Sequence, residues 1–397
     1  MYHIPKNWTV KKLGDIAQII SGVSYSPEDI TTEGVRIIRG GNIQNGRILQ
    51  KEDDVFLPIS YANIENQIRV FDTVIVSSTG STDALAKAAT VFEKTPNTQI
   101  GAFLRIIRPI EIKYAMWISI WCTSLYFRDY LINMARGTSI NNIRTDFLLN
   151  FDIPIPTDTE LNRVSTFYQT IETNLTLNRH INQNLEALAR QLYDYWFVQF
   201  DFPDANGKPY KSNGGKMVWN EKLKREIPEG WDYITTGELT NVITGKEDAN
   251  FADMNGKYPF FTCSHDNLRC AKPAFLGKAI LIAGNGDFTV KHYTGAFNAY
   301  QRTYVLIPAD EKYCGVLYFA AHGAIDLFKA QSNGSIIKFI TKSDVENIGV
   351  FDCHNSKLYY FINTLIESIE NNENEIFSLI KQRDELLPLL MNGQVSL

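Results

Sequence analysis

Two stretches of this chain repeat apolar residues at a spacing of seven, and that pattern predicts two long helices. With Val164 at heptad position a, the a series runs Val164, Ile171, Asn178, Leu185 and Leu192, and the d series runs Phe167, Asn174, Ile181, Leu188 and Tyr195. The second stretch places Leu358, Leu365, Asn372, Leu379 and Leu386 at a. Its d series of Phe361, Ser368, Glu375, Gln382 and Leu389 is more polar, with Ile362, Ile369 and Ile376 next door. Thr157 and Glu160 form a capping-box pattern before the first stretch, and Gly393 supplies a stop after the second. The helical segments expected are 157–200 and 355–393. Each carries an Asn at its middle a position, a polar layer of the kind that sets register. An antiparallel pair centred there puts Asn178 opposite Asn372, Ile171 opposite Leu379 and Leu185 opposite Leu365, and every flanking layer is then aliphatic. Helices of about 36 residues would span roughly 50–55 Å.

Outside those helices the periodicity changes. Strand-like runs occur at Val35–Ile38, Thr73–Ser77, Phe103–Ile107, Ala279–Ala283 and Tyr304–Ile307, and helical runs at Tyr114–Ala135 and Gly315–Ala330. The chain also resembles itself. Ile4-Pro5-x-x-Trp8 returns as Ile227-Pro228-x-x-Trp231, and the same offset aligns Gly14, Ile16, Ile20 and Gly22 with Gly237, Leu239, Ile243 and Gly245. Further on, Val74-Ile75-Val76 with Gly80 matches Ala279–Ile282 with Gly284, and Gly137 matches Gly334, at shrinking offsets. The expected architecture is α+β: two similar mixed α/β domains, 1–156 and 230–354, separated by a long antiparallel two-helix coiled coil in a pseudo-twofold internal repeat, with 201–229 as linker.

Charge bears on what such a pair of domains could hold. The net charge is −5, yet residues 1–155 hold 16 Lys+Arg against 15 Asp+Glu, and 198–354 hold 17 against 18. The surplus acid sits on the two helices, 3 against 5 in 156–197 and 3 against 6 in 355–397. Acid there suits contact with protein more than with phosphate, so a partner would supply much of any grip on nucleic acid. The five cysteines are scattered, with no C-x-x-C pair, which speaks against a disulfide framework or zinc site. The start lacks a secretory pattern, and the longest apolar stretch, Tyr114–Phe127, is too short to span a bilayer. No membrane association and a cytoplasmic location are expected.

Polar loops with groups suited to phosphates and base edges recur at equivalent places in the two copies. In the first copy they carry Arg39 and Asn42; Thr79 and Ser81; then Arg136, Thr138, Asn141 and Arg144. In the second they carry His265, Asn267 and Arg269; Asn285 and Lys291; then Asn333, Ser335 and Lys338. All sixteen are candidate DNA contacts. The rival class is a stand-alone DNA adenine methyltransferase or nuclease with built-in recognition domains. Its motifs are missing: Gly284-Asn-Gly286 lacks the third spaced glycine of a cofactor turn, Asn150-Phe-Asp-Ile-Pro154 lacks a double proline, and there is no P-loop or H-E-x-x-H. Asp201, Asp204 and Lys208 sit in a glycine-rich linker and read as solvated rather than metal-binding. No catalytic residue, metal or cofactor is expected.

One segment is distinctive: Leu192-Tyr-Asp-Tyr-Trp196-Phe-Val-Gln-Phe200-Asp-Phe-Pro203-Asp-Ala-Asn-Gly207-Lys-Pro-Tyr-Lys-Ser-Asn-Gly214-Gly215-Lys-Met-Val-Trp219, leading to Ile227-Pro228-Glu-Gly-Trp231. It resembles the central region of the specificity subunits of type I restriction-modification systems. The likeness extends over both Ile-Pro-x-x-Trp starts, both helices and the ending Leu386-Leu-Pro-Leu-Leu-Met-Asn-Gly393-Gln, with Asn7 departing from Gly230. The resemblance implies a non-catalytic chain whose two target recognition domains each read half of a bipartite, asymmetric site on double-stranded DNA. It further implies that the helices act as a ruler and dock two copies of a modification subunit, with a restriction/translocase subunit completing the assembly.

Overall fold

Both heptad stretches are helical over equal lengths, Asp158–Tyr193 and Ser356–Met391, 36 residues each. The computed structural model describes residues 4–395 apart from 52, 81–82, 136–141, 254, 265–266, 287 and 332–338. The capping box forms: the Glu160 carboxylate accepts from Thr157 N at 3.1 Å, and Thr157 Oγ1 accepts from Glu160 N at 3.4 Å. Asn355 caps the second helix, its Oδ1 accepting from Lys357 N at 3.0 Å. At its C-terminal end the first helix widens into one π-turn over Asp194–Val198, with Gln199 N donating to Asp194 O. This change of pitch directs Trp196, Phe197 and Phe200 into the core that also holds Trp231 and Ile227.

The buried face of the first helix differs from the expected a/d stripe by one position. Val164, Ile171 and Asn178 are buried as the a series requires, but their companions are Tyr168, Leu175, Asn182, Ala189 and Trp196 rather than the d series. Ile181 and Leu188 of that d series are 37 % and 45 % exposed. The spacing still alternates four and three, so the period is legible in the sequence; the frame is not, because Ile181 and Leu188 are as apolar as the residues that are buried. In the second helix Leu358, Ile362, Ile366, Ile369 and Leu390 are buried, which places the seam on the isoleucines beside the polar d series.

The chain parts into two units, and the division falls within both long helices: residues 1–177 with 376–397, and residues 178–375. In the first unit a four-stranded sheet has the order Ala17–Ser21, Leu104–Pro109, Thr73–Val76, Ala88–Thr90, accompanied by a three-stranded sheet centred on Val35–Ile38. The helical run expected over Tyr114–Ala135 is broken into Ala115–Cys122 and Leu125–Ala135, because the Ser124 hydroxyl accepts from Phe127 N and opens a new helix. Its core packs Trp117, Trp121, Phe127 and Phe151 against Leu161, Val164 and Tyr168 of one long helix and Leu390 and Met391 of the other. A buried ion pair, Arg108 Nη2 to Asp72 Oδ2 at 2.7 Å, ties two strand ends together.

The second unit has a six-stranded sheet whose centre is a long hairpin, Phe275–Ala283 with Val290–Ala299. The second arm reads Val-Lys-His-Tyr-Thr-Gly-Ala-Phe-Asn-Ala and lacks clean alternation, so the sequence reading missed it. Gly277 and Gly295 face one another across the hairpin at φ of 142° and 135°. Its core gathers Val316, Phe319, Leu358, Ile362 and Ile366 around the aromatic cluster of the linker.

The repeat holds at the level of individual hydrogen bonds. Thr9 pairs with Ile155 and Asp232 with Asp352 in matching two-stranded sheets. Leu13 N donates to Phe151 O at 2.8 Å and Thr236 N to Ile348 O at 2.9 Å. Gly22 and Gly245 are required for the same reason: a Cβ at the first would strike the carbonyl of Gly101, and at the second that of Ala299.

Candidate nucleic-acid interface

Three loops of the first unit meet at one end of its central strand, Thr73–Val76. Gly40 packs over Val76, at 3.6 Å from a Cβ placed on the glycine. Ile143 N donates to Ser77 O at 2.7 Å, and Ser78 bridges to Asn142, which brings the segment before Arg144 alongside the loop that carries Thr79. The carbonyl of Phe103 accepts from the amides of both Ser77 and Ser78, at 2.9 and 3.1 Å. Thr79 is half-buried, and Arg144 is exposed, paired with Asp146 at 2.9 Å.

Arg39 and Asn42 have different standing. Arg39 is half-exposed and its Nη2 is anchored by Asp53 at 2.7 Å. Asn42 is 1 % exposed, and both ends of its amide are in use: Oδ1 accepts from Arg39 N, while Nδ2 donates to Leu49 O and Asp54 Oδ1. Asn42 therefore shapes the loop and has no free edge for a base. Burial alone would raise the Asp54 pKa, but hydrogen bonds from Lys51, Asn42 and Arg36 outweigh it and hold the carboxyl below its ordinary value.

The second unit builds the same meeting point with other residues. Ile340 N donates to Gly284 O at 2.7 Å and Gly284 N to Arg302 O at 2.8 Å, the counterparts of Ile143–Ser77 and Ser77–Phe103. Lys291 Nζ joins two expected loops, donating to Ser264 O at 2.8 Å and Asn267 Oδ1 at 2.7 Å. Asn285 is half-buried at the hairpin tip and Asn267 is exposed. Arg269 is turned away, its guanidinium donating to the carbonyls of Gly256 and Lys257. Ser81, Arg136, Thr138, Asn141, His265, Asn333, Ser335 and Lys338 lie outside the described residues.

Two side chains missed from sequence belong to this arrangement. Phe103 is 68 % exposed and Arg302 is exposed, each on the turn whose carbonyl receives the loop amides. They are unlike in chemistry, so side-by-side comparison of the copies does not pair them; only the shared hydrogen bond does. A third, Arg105, is half-buried beside the same turn and donates to the carbonyls of Ala102 and Leu104, with burial lowering its pKa.

The linker carboxylates build turns. Asp201 accepts from the amide and hydroxyl of Ser212 at 2.7 and 2.6 Å, and Asp204 from the amides of Asn206 and Lys208 at 2.8 and 2.9 Å. These bonds lower both pKa values. Among the described residues no group of three His, Cys, Asp or Glu could hold a metal ion, and no helix is long and apolar enough to cross a membrane. The helices leave apolar side chains outward: Leu177 is 53 % exposed, beyond Ile181 and Leu188 already noted.

A sequence model described as the type I restriction modification DNA specificity domain matches residues 5–187 and again 228–351, one match per copy. The type I restriction enzyme EcoDI specificity subunit of Escherichia coli is 37 % identical over 178 residues, 43 % of this chain and 40 % of that protein. The MjaIX specificity subunit of Methanocaldococcus jannaschii is 22 % identical over 433 aligned positions, 99 % of this chain and 94 % of its own length. The crystal structure of a type I restriction-modification S subunit from M. genitalium superposes with a TM-score of 0.55 at 17 % identity, over 98 % of both chains, and shares the fold. With a family match in each copy spanning most of the sequence, the chain belongs to the type I restriction-modification DNA specificity family.

Proposed function

We propose that this chain reads a bipartite, asymmetric site on double-stranded DNA and directs two modification subunits and a restriction/translocase subunit to it, without catalysing a step itself. The observation that carries the reading is the repeated loop junction. In each unit one strand end receives an amide from a polar segment (Ile143 to Ser77, Ile340 to Gly284) and donates to a turn bearing an exposed side chain. The frame is shared and the side chains differ, as two readers of unlike half-sites require. Residues 1–156 and 230–354 act as the two target recognition domains. The contacts assigned to them are Arg39, Thr79, Ser81, Arg136, Thr138, Asn141 and Arg144 in the first, and His265, Asn267, Asn285, Lys291, Asn333, Ser335 and Lys338 in the second. Phe103 and Arg302 join them, while Asn42 and Arg269 support their loops.

The segments 157–200 and 355–393 form an antiparallel coiled coil that separates the readers in a pseudo-twofold arrangement, with 201–229 linking them. Contacts within each unit support this reading. Glu172 pairs with Arg383 at 2.9 Å, and Leu161 and Leu390 share one core. Asn182 Nδ2 donates to Ile369 O at 3.2 Å, and the Trp196 and Phe361 rings meet at a tilt with centroids 5.1 Å apart. As one number rises the other falls, and Asn178 then comes beside Asn372 at the centre. The outward Leu177, Ile181 and Leu188 suit the modification subunits, which would also supply cationic surface that the near-neutral recognition domains lack. Such an assembly works in the cytoplasm, where its DNA lies.

The test is co-expression with a modification subunit followed by methylome sequencing. Adenine methylation at a split motif is expected, with no S-adenosylmethionine-dependent labelling of DNA by the isolated chain. Labelling by the chain alone overturns the reading in favour of a methyltransferase.

A further inference from the structure

The long hairpin of the second unit is clamped to the C-terminal helix by one face of its strands. Side chains alternate along a strand, so His292 and Thr294 point the same way, and Lys278, paired directly across from Thr294, joins them. Glu370 takes the amide and hydroxyl of Thr294 and lies against the His292 ring. Its Oε1 accepts from Thr294 N at 2.7 Å, and its Oε2 accepts from Thr294 Oγ1 at 2.9 Å and lies 2.8 Å from His292 Nδ1. One helical turn earlier Glu367 accepts from Lys278 Nζ at 3.0 Å, and the same ammonium reaches Glu311 at 3.1 Å. Glu370 and the His292 side chain are both buried. At the tip of this hairpin stand Asn285 and Lys291, among the proposed DNA contacts.

The clamp has no counterpart in the residues of the other copy. The offset of 194 that aligns the two helices puts Thr173 where Glu367 stands and Thr176 where Glu370 stands. The matching strands of the first unit, Thr73–Val76 and Ala88–Thr90, are also far shorter. A carboxylate that accepts a backbone amide and a hydroxyl while buried is a rigid attachment, since breaking it leaves a charge without partners.

We propose that Glu370, with His292, Thr294 and the Lys278–Glu367 pair, is a positioning device that fixes where along the helix the second recognition domain meets DNA, and so sets the tolerance for spacer length between the half-sites. This rests on the proposed function of the chain. None of these residues touches a base; they act by holding the hairpin whose tip does.

The experiment uses the full chain co-expressed with its modification subunit, in wild-type form and as Glu370→Ala, Glu370→Gln and Lys278→Met, with methylome sequencing as the readout. Glu370→Ala should leave both half-site sequences unchanged and raise methylation at sites whose spacer is one base pair longer or shorter, relative to the normal spacer, by roughly tenfold. Glu370→Gln, which can still accept from Thr294, should recover most of the discrimination. Lys278→Met should relax it in the same direction with less risk to folding. Uniform loss at every spacer in Glu370→Ala and Lys278→Met, or a change in the second half-site sequence, overturns the clamp as a spacer device. If the wild-type assembly methylates a continuous motif or none, the failure lies instead in the proposed function.

Discussion

Ile143 donates its amide hydrogen to the carbonyl of Ser77 at 2.7 Å, and Ile340 does the same to Gly284 at 2.7 Å. The bond joins a strand end to a polar segment far away in sequence, in both copies. Because it involves only backbone atoms, it survives divergence of every side chain around it. The side chains next to it are then free to differ, and Phe103 and Arg302 do. Phe103→Ala should alter methylation only at the half-site read by the first domain, and Arg302→Ala only at the other. A discriminating contact is worth about 1–3 kcal/mol, so base preference at one position should relax by roughly tenfold or more. Methylome sequencing of each variant is the check, and a change at both halves would contradict independent readers.

Leu175 and Leu177 lie two residues apart on the first helix with opposite environments. Leu175 is fully buried and Leu177 is exposed. Leu175→Ala should destabilise the protein by ~2–5 kcal/mol and lower its melting temperature. Leu177→Ala should leave melting unchanged and instead reduce co-purification of the modification subunit. Equal effects on melting would show that Leu177 is packed as Leu175 is.

Asn178 is buried, and among the described residues its Nδ2 has no hydrogen-bond partner. A buried donor left unmade costs about 1–3 kcal/mol, so Asn178→Leu should raise thermal stability by a similar amount. On the proposed antiparallel coiled coil, Asn178→Leu should simultaneously broaden the spacings that are methylated, since an aliphatic seam can slide where an Asn layer resists. Lower stability in Asn178→Leu would mean that the amide is satisfied in solution.

Gly22→Ala and Gly245→Ala both drive a methyl group into a carbonyl of the neighbouring strand. Each should cost at least ~1–3 kcal/mol by overpacking. Calorimetry on the two variants should show the early part of the transition moving with the affected unit.

Glu370 has a pKa held below its ordinary value: burial alone would raise it, but the His292 contact and the bonds from Thr294 prevail. A depressed carboxylate stabilises the fold fully above its unfolded pKa of about 4.3 and loses that contribution as pH falls through the folded value. Melting temperature should therefore fall more steeply in the wild type than in Glu370→Gln between about pH 5 and about pH 3. Parallel curves would assign the acid sensitivity to other carboxylates.

Periodicity and duplication made much of this architecture legible in advance. The heptads gave both helices, the alignment of Gly22 with Gly245 marked a shared close approach, and Val35–Ile38 stands as read. What was not legible has physical causes. Ile181 and Leu188 are as apolar as Leu175, and only tertiary contact decides which face is buried. Thr9–Lys12 is a charged edge strand without alternation, formed because Asp152–Ile155 pairs with it. Asn42 and Arg269 have the chemistry of base readers but spend it on carbonyls and carboxylates of their own unit, which composition cannot reveal. Phe103 and Arg302 share a position and nothing else.

The division of the chain within its two helices bears on biosynthesis. The second unit is one continuous segment, 178–375, whereas the first needs Leu390 and Met391, residues at the far end of the chain, to close its core. Residues translated before the second unit therefore wait for residues translated after it. Until the ribosome releases the C-terminal turns, the opening domain carries an uncovered apolar patch around Leu161 and Val164, and a chain truncated before residue 386 would keep it exposed to chaperones and proteases.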